Sequence, residues 1–153
     1  MEEENKYTHR YIARIVIEAL TPLALSSGDK DIVTDSLVAL DVNGLPYIPG
    51  TSIAGVIRHA LELDATKESI FGYQNPFKSK DGKGSEIIFS EAKMIGKDGK
   101  PIDGLQLIDW NDAYYQHFKE LPIRQHARIN HKGVTADTGK FDEQVVFKGT
   151  RFC

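Results

Sequence analysis

The sequence predicts an α+β fold with a mostly antiparallel sheet, formed by one domain. Three observations indicate this. The chain runs from a strand pattern to a helix pattern and then to further strand patterns. Its 153 residues suit one domain with a sizeable core. Its apolar content of 41% and charged content of 27% are ordinary for a globular protein.

The first predicted strand covers residues 11–20, where apolar side chains alternate on both faces. That pattern is typical of a central strand whose faces are both largely covered. Arg14 and Glu18 mark the more exposed face. A short strand is expected at residues 37–41, followed by a turn at Val42, Asn43 and Gly44.

A short amphipathic helix is predicted to follow the turn made by Pro49 and Gly50. Thr51 or Ser52 is expected to cap it. One apolar stripe, spaced i, i+4, i+7 and i+8, is assigned to the buried face; it consists of Ile53, Ile57, Ala60 and Leu61. Because the first amides of a helix lack partners and its dipole is positive there, an anionic ligand is plausible, although a plain capped core helix has the same pattern.

The second half of the chain predicts one more strand, one more helix and two surface loops. The strand is expected at residues 86–90, and the loops at 75–85 and 96–104 are rich in Gly, Lys and Asp and are assigned no part in the core. The helix is expected at residues 110–121, with Asp109 as its cap and Pro122 as its stop. Its aromatic side chains are assigned to the core rather than to base stacking.

Charge is unevenly distributed along the chain, whose net charge is −3. Residues 1–50 carry four Lys/Arg against eight Asp/Glu, whereas residues 121–153 carry six against three. The basic end is where phosphate contacts could concentrate, and a solvated basic face is the alternative. The only cysteine, Cys153, excludes an intrachain disulfide and a cysteine-based zinc site. With no signal-peptide pattern and no apolar run of 18 residues, a cytoplasmic protein without a membrane span is expected.

Three stretches in the same order resemble one known family. Residues 21–58 read TPLALSSGDKDIVTDSLVALDVNGLPYIPGTSIAGVIR, residues 70–72 and 87–92 read IFG and IIFSEA, and residues 128–152 read RINHKGVTADTGKFDEQVVFKGTRF. Together they resemble proteins of the RAMP superfamily, which form the backbone of type III CRISPR interference complexes. The stretches cover about half of the chain, and only their combination makes the resemblance specific.

The resemblance implies a ferredoxin-like, RNA-recognition type of core with insertions. It also implies a prokaryotic cytoplasmic protein of antiviral defence, with guide crRNA, target RNA and other RAMP subunits as partners. Family members continue beyond the sequence GTRFC that ends this chain. Residues 1–153 are therefore expected to form an N-terminal portion that lacks the final strands and a glycine-rich loop. The incomplete sheet would be completed by another polypeptide or by swapping between copies, which favours a homo- or hetero-oligomer.

The resemblance also assigns RNA-binding residues, one by one. They lie in a polar glycine loop, in the helix start and in a thumb-like hairpin at residues 124–138, and they are Ser26, Ser27, Gly28, Gly50, Thr51, Ser52, Gly55, Arg58, Arg124, His126, Arg128 and Lys132. Ala54 departs from the family, since many backbone subunits have a lysine there that would contact phosphate.

Asp35 matches a loop aspartate that cleaving members of the family require for cutting target RNA with a divalent metal. One carboxylate can bind hydrated Mg²⁺, or it can orient a ribose 2′-hydroxyl for attack on the adjacent phosphate. The alternative is that Asp35 caps a turn through its side chain. No other metal site and no organic cofactor is predicted.

Three functions therefore remain open on sequence alone. The chain is a guide-binding subunit that also acts as an endoribonuclease through Asp35, or a related subunit that only binds RNA and assembles. The third is a protein-interaction module that completes its sheet by oligomerisation. Other enzyme classes are not indicated, because the sequence has no G-x-S-x-G elbow, no Walker loop and no H-E-x-x-H motif.

Overall fold

The structure is a computed structural model, which describes residues 9–28, 34–62, 64–74, 82–129 and 135–153. The predicted α+β class is confirmed. The helices of the described part are α1 Gly50–Ala60, α2 Asp64–Phe71 and α3 Ala113–Lys119. Its strands form small antiparallel pairs, in which β1 Ile17–Glu18 joins β8 Arg151–Phe152, β2 Tyr47–Ile48 joins β5 Ala92–Lys93, β3 Tyr73–Gln74 joins β4 Gly82–Lys83, and β6 Ile123–Ile129 joins β7 Thr135–Gln144.

The β6–β7 hairpin is the longest pairing, and it occupies the segment where the sequence predicts a hairpin. Ile123 lies opposite Gln144 and His126 opposite Phe141, with a register shift between Ala127 and Ile129. Apart from these ladders, the ferredoxin-like arrangement stays a prediction. In the described part of the chain, no helix is long and apolar enough to cross a bilayer.

The core gathers short elements from both ends of the chain around fully buried side chains. Leu45, Val146 and Phe152 each have 0% of their surface exposed. The aromatic side chains of the second predicted helix join this core, as expected. Phe118 is buried, and Trp110 and Tyr114 pack against the cluster. Burying one large apolar side chain of this kind stabilises the folded protein by roughly 1.5–3 kcal/mol.

The cap of α3 is Asp112, so the prediction of Asp109 is wrong. The Asp112 carboxylate accepts a hydrogen bond of 2.9 Å from the Tyr114 amide. Asp109 instead accepts from the Asn111 amide at 3.0 Å, which places it in the turn before the helix. Each carboxylate accepts from the backbone amide two residues further along the chain, but only Asp112 lies at the start of the helix.

The first predicted strand is wrong over most of its length. Only Ile17 and Glu18 pair, with Phe152 and Arg151 of β8. The preceding residues 9–16 have no strand partner in the described part of the chain, and Tyr11 and Ile12 are 89% and 92% exposed. Alternation predicts which faces a strand would bury, but a strand forms only where another backbone segment supplies its hydrogen bonds.

The strand predicted at residues 86–90 is also wrong, because the pairing begins later. Ala92 lies opposite Ile48 in the β2–β5 pair, whereas Ile88 is 92% exposed. The Ser85 hydroxyl bonds both the amide and the carbonyl of Ile87, at 3.3 and 2.7 Å, which gives the backbone a local alternative to a ladder.

The loop predicted at residues 96–104 contributes to the core, against expectation. Ile102 is only 5% exposed, and its amide donates to the Met94 carbonyl at 2.9 Å. Gly99, at φ +77°, makes the turn that returns the chain to Met94. The loop predicted at residues 75–85 lies partly outside the described residues.

Helix α1 follows Pro49 as predicted, but its cap and its burial differ from expectation. Neither Thr51 nor Ser52 caps it, since no side chain bonds the helix start and Pro49 is the N-cap residue. Ile53 packs against the core, while Ile57 is 38% exposed and no residue of α1 is buried. The helix therefore lies on the surface, with its start accessible.

Candidate nucleic-acid interface

A groove of about 650 Å³ separates the glycine loop, defined as residues 26–28, from the start of α1. Hydroxyl side chains stand on both walls, namely Ser26 and Ser27 on one side and Thr51 and Ser52 on the other. Four of the predicted RNA-binding residues thus meet across one opening, which we call the serine groove. Its walls also include Tyr47 and apolar residues of 37–40.

The glycine loop is held by hydrogen bonds that converge on Ser26. The Gly28 amide donates to the Ser26 hydroxyl at 3.1 Å, and the Ser36 hydroxyl donates to it at 3.0 Å. The Ser27 amide donates to the Leu37 carbonyl at 2.9 Å. Gly28 has φ +85°, a conformation that favours glycine.

The opposite wall offers backbone donors at the helix start. The Ser52 and Ile53 amides both donate to the Pro49 carbonyl, at 2.9 and 3.2 Å. Within the described residues, the amides of Gly50 and Thr51 have no acceptor. Two unpaired amides at the positive end of a helix dipole suit an anionic oxygen.

The other residues predicted from the helix motif lie on a different side of α1. A second groove, of about 290 Å³, is lined by Gly50, Gly55, Arg58, Phe71 and Phe89 among others. The Arg58 Nη1 atom donates to the Gly72 carbonyl at 3.2 Å. Arg58 therefore connects α1 to the turn that follows Phe71, and this contact does not require a ligand.

Gly50 is required by close backbone contact within the protein. A Cβ atom at this position would lie 2.2 Å from the Phe89 carbonyl oxygen, which is far closer than real contacts allow. The predicted close approach is thus present, and the group that approaches is the backbone of residues 89–90. At Gly55, by contrast, a Cβ atom would meet nothing within 4 Å.

Lys93 is a cation beside the serine groove that sequence reasoning missed. Its Nζ atom lies 5.5 Å from the centroid of the Tyr47 ring, which lines the groove, and 2.6 Å from Glu91 Oε1. The hydrogen bond to Glu91 raises the pKa of Lys93, so the ammonium stays charged at neutral pH. Only the pairing of Tyr47 with Lys93 in the β2–β5 ladder brings them together, and the sequence gives no signal of that register.

Asp35 is exposed and lies against the base of the β6–β7 hairpin. Its carboxylate accepts from the Asp142 amide at 3.1 Å, and its own amide donates to the Asp142 carbonyl at 3.0 Å. The next residue, Ser36, pairs in parallel with Glu143 and contacts Ser26 of the glycine loop. Asp35 is therefore one residue away from a side chain that supports the serine groove.

Two of the predicted hairpin residues, Arg124 and His126, contact one carboxylate. Arg124 Nε and Nη2 lie 3.1 and 2.5 Å from Glu143 Oε1, and His126 Nε2 lies 2.6 Å from the same oxygen. The Arg124 guanidinium, with a smaller part from His126, lowers the pKa of Glu143. Arg128 is exposed on β6, and Lys132 lies outside the described residues.

No group of three or more His, Cys, Asp and Glu side chains converges to hold a metal ion in the described residues. The Asp35 carboxylate is a single potential ligand, which is compatible with Mg²⁺ because that ion often keeps several waters and takes one or two carboxylates plus phosphate oxygens. The divalent cation stays a prediction.

Comparison with known proteins gives a family and a fold. A family model described as RAMP superfamily matches residues 16–152. A chain from the solved structure titled "Type III-B Cmr-beta Cryo-EM structure of the Apo state" is similar with a TM-score of 0.54 and 15% sequence identity, over 90% of this chain and 80% of that chain. No curated protein matches. At that identity, the similarity to the solved chain is evidence for the fold.

Proposed function

Since the chain belongs to the RAMP superfamily, we propose that it binds guide crRNA as a subunit of a type III CRISPR interference complex. Other RAMP subunits and target RNA are its proposed partners. The similarity to a chain of a type III-B Cmr complex supports this assignment. The observation that carries it is the serine groove, where the glycine loop and the start of α1 face one another.

The serine groove has the chemistry of a phosphate site. The Thr51 amide, the hydroxyls of Ser26, Thr51 and Ser52 and the nearby Lys93 ammonium are hydrogen-bond donors suited to phosphate oxygens. Such contacts bind a backbone without reading its bases, as a subunit that carries guides of many sequences requires. The hydrogen bond from Arg58 to the Gly72 carbonyl supports this wall, because it connects α1 to the turn that follows Phe71.

Placing a negative charge in the serine groove tests RNA binding. Ser52→Asp puts a carboxylate in the first turn of α1, where the helix dipole favours it, so folding is maintained while phosphate is repelled. We expect about tenfold weaker binding of single-stranded RNA. Leu107→Asp, at a fully exposed position, is the charge-matched control. Equal losses in both variants would show that the groove is not the binding site.

We further propose that Asp35 supports cleavage of target RNA. Its carboxylate orients the ribose 2′-hydroxyl and accepts its proton. The 2′-oxygen then bonds to the adjacent phosphorus, and the bond to the 5′-oxygen breaks as that oxygen takes up a proton. The products are a 2′,3′-cyclic phosphate and a free 5′-hydroxyl. A divalent cation held by Asp35, waters and phosphate oxygens would stabilise the negative charge of the phosphate.

The Asp35→Ala variant tests the cleavage step separately from binding. We expect loss of cutting with unchanged affinity for guide RNA, and the wild-type products should carry cyclic phosphate ends. If the wild-type protein, assembled with guide, binds target RNA without cutting it, the chain is a non-catalytic RAMP subunit.

Four exposed apolar side chains favour a second candidate, a module that completes its sheet with another polypeptide; they are Tyr11, Ile12, Ile15 and Val16. RNA affinity measured at two salt concentrations separates this candidate from the first. An RNA-binding subunit loses affinity steeply as salt rises, because bound phosphates release counterions. An interaction module has no such slope.

A further inference from the structure

On the β6–β7 hairpin, the Glu143 carboxylate binds two side chains that are predicted to contact RNA. One of its oxygens, Oε1, lies within 3.1 Å of three nitrogen atoms, Arg124 Nε, Arg124 Nη2 and His126 Nε2. Carboxylate and phosphate oxygens accept the same planar pair of guanidinium donors. The Arg124 and His126 side chains are therefore already bound to an anion of the protein itself.

Exposure differs between the two sides of this cluster. The Glu143 side chain is 16% exposed, whereas the side chains of Arg124 and His126 are 44% and 32% exposed. The carboxylate is thus the more buried partner, and the guanidinium and imidazole are the more exposed ones. Their nitrogen atoms nevertheless contact Glu143.

The imidazole is held independently of the carboxylate. The His126 ring stacks on the Phe141 ring, with centroids 4.5 Å apart and planes at 5°. Because these two residues are also paired across the hairpin, His126 keeps its place when Glu143 is changed. The cluster can thus present the guanidinium and the imidazole to an external anion without rearrangement of the strands.

We propose that Glu143 is an internal competitor for RNA phosphate, so that Arg124 and His126 engage the RNA backbone only where phosphate displaces the carboxylate. This inference rests on the proposed RNA-binding function. It assigns Glu143 a role in setting the affinity for RNA. The Glu143 carboxylate weakens contact with any free RNA, so that Arg124 and His126 bind only RNA that other contacts already hold in place.

The alternative is an ordinary cross-strand ion pair that only stabilises the hairpin. A variant of Asp142 distinguishes the two explanations. Asp142 is the neighbouring residue of β7, carries the same charge as Glu143 and has no ion-pair partner among the described residues. Glu143→Gln and Asp142→Asn each remove one negative charge. Only the first releases Arg124 and His126.

The experiment measures binding of a fluorescein-labelled oligouridine by both variants and by the wild-type protein over a range of salt concentrations. For Glu143→Gln we expect about fivefold tighter binding and a log–log salt slope steeper by about 0.7 for each phosphate newly contacted. For Asp142→Asn we expect less than about twofold change, since a screened charge acts weakly at a distance, and an unchanged slope.

Arg124→Gln completes a double-mutant cycle. It should cost little affinity in the wild-type background and should abolish the gain in the Glu143→Gln background. Thermal unfolding monitors the hairpin, and Glu143→Thr, which favours strand, gives the same expectation if glutamine unfolds it. If wild-type protein binds RNA and Glu143→Gln gains no more than Asp142→Asn, this inference alone is overturned. If no variant binds RNA, the proposed function fails and the inference fails with it.

Discussion

The Asp35 carboxylate accepts a hydrogen bond from the backbone amide of Asp142, a residue 107 positions further along the chain, at 3.1 Å. The Asp35 amide returns a bond to the Asp142 carbonyl at 3.0 Å. The Gln144 amide bonds to the Ser36 carbonyl, and the Val38 amide bonds to Gln144 Oε1. The candidate catalytic loop and the hairpin base thus form one hydrogen-bonded unit.

We predict that Asp35→Ala is less stable than Asp35→Asn. The alanine variant leaves the Asp142 amide without its acceptor, which costs about 1 kcal/mol, whereas asparagine keeps an oxygen there. Urea unfolding measures the difference. Both variants should lack cleavage, because neither has a carboxylate that takes a proton. If Asp35→Asn retains cleavage, the carboxylate has a structural role only.

Gly50→Ala and Gly55→Ala should have opposite effects on stability although both lie in α1. At Gly50 the added methyl group would overlap the Phe89 carbonyl oxygen, which predicts a loss of about 1–3 kcal/mol. At Gly55 it would enter open space in a helix interior, which predicts a gain of about 0.5–1 kcal/mol. Thermal or urea unfolding of the pair checks this, and equal effects would contradict it.

The cap of α3 predicts a pH-dependent effect at Asp112. Its hydrogen bond to Lys97, and next the one from the Tyr114 amide, lower the pKa of Asp112. The carboxylate therefore stabilises the fold above its ordinary pKa, and this contribution is lost as pH falls through the lowered value. Asp112→Ala should lower Tm by about 2–4 °C at neutral pH and have little effect in strong acid.

Asp112→Asn is the matched control for that experiment. Asparagine is also a good N-cap, so it should retain most of the stability at neutral pH while losing the ion pair with Lys97. A loss as large as that of alanine would mean that the ion pair, and not the cap, carries the effect.

The hairpin ion pair should stabilise the protein only where Glu143 is ionised. The hydrogen bond from Arg124 is the largest cause that lowers the pKa of Glu143. Its contribution is present above the ordinary carboxylate pKa and disappears as pH falls through the lowered folded value. Glu143→Gln should cost about 0.5 kcal/mol in urea unfolding at neutral pH and nothing in strong acid. A cost that persists in acid would indicate packing instead.

The parts of the fold that sequence predicts well are those set by local pattern. The spacing of Trp110, Tyr114 and Phe118 predicts a helix over residues 110–121 with a core-facing side. The structure has this helix only over Ala113–Lys119, and Trp110 packs against the core from the turn before it. The alternation of side chains in residues 11–16 is equally clear, yet these residues form no strand pairing within the described part of the chain. A strand depends on a partner segment that the local pattern cannot identify. The predicted position of the α3 cap is wrong by three residues for a similar reason. Asp109 and Asp112 each accept a hydrogen bond from the amide two residues further along, so the local pattern does not distinguish them.

In the candidate site, too, the local sequence predicts some features, and others depend on tertiary structure. The serine groove joins segments that the family motif already singled out, Ser26–Ser27 and Thr51–Ser52. Glu143 and Lys93 were missed, because their importance comes from cross-strand neighbours, Arg124 and Tyr47, whose register is fixed only by tertiary structure. Arg58 matched the motif, and its observed contact is with the Gly72 carbonyl.

The bonds from Asp35 and Ser36 to residues 142–144, and the pairing of Ile17 with Phe152, join the two ends of the described chain. Contacts of such long sequence separation are slow to form, because a long stretch of chain must be closed before they return any free energy. During synthesis, the Asp35 loop leaves the ribosome well before its anchor does. Nascent chains shorter than about residue 144 therefore lack the hairpin residues that hold the Asp35 loop in place.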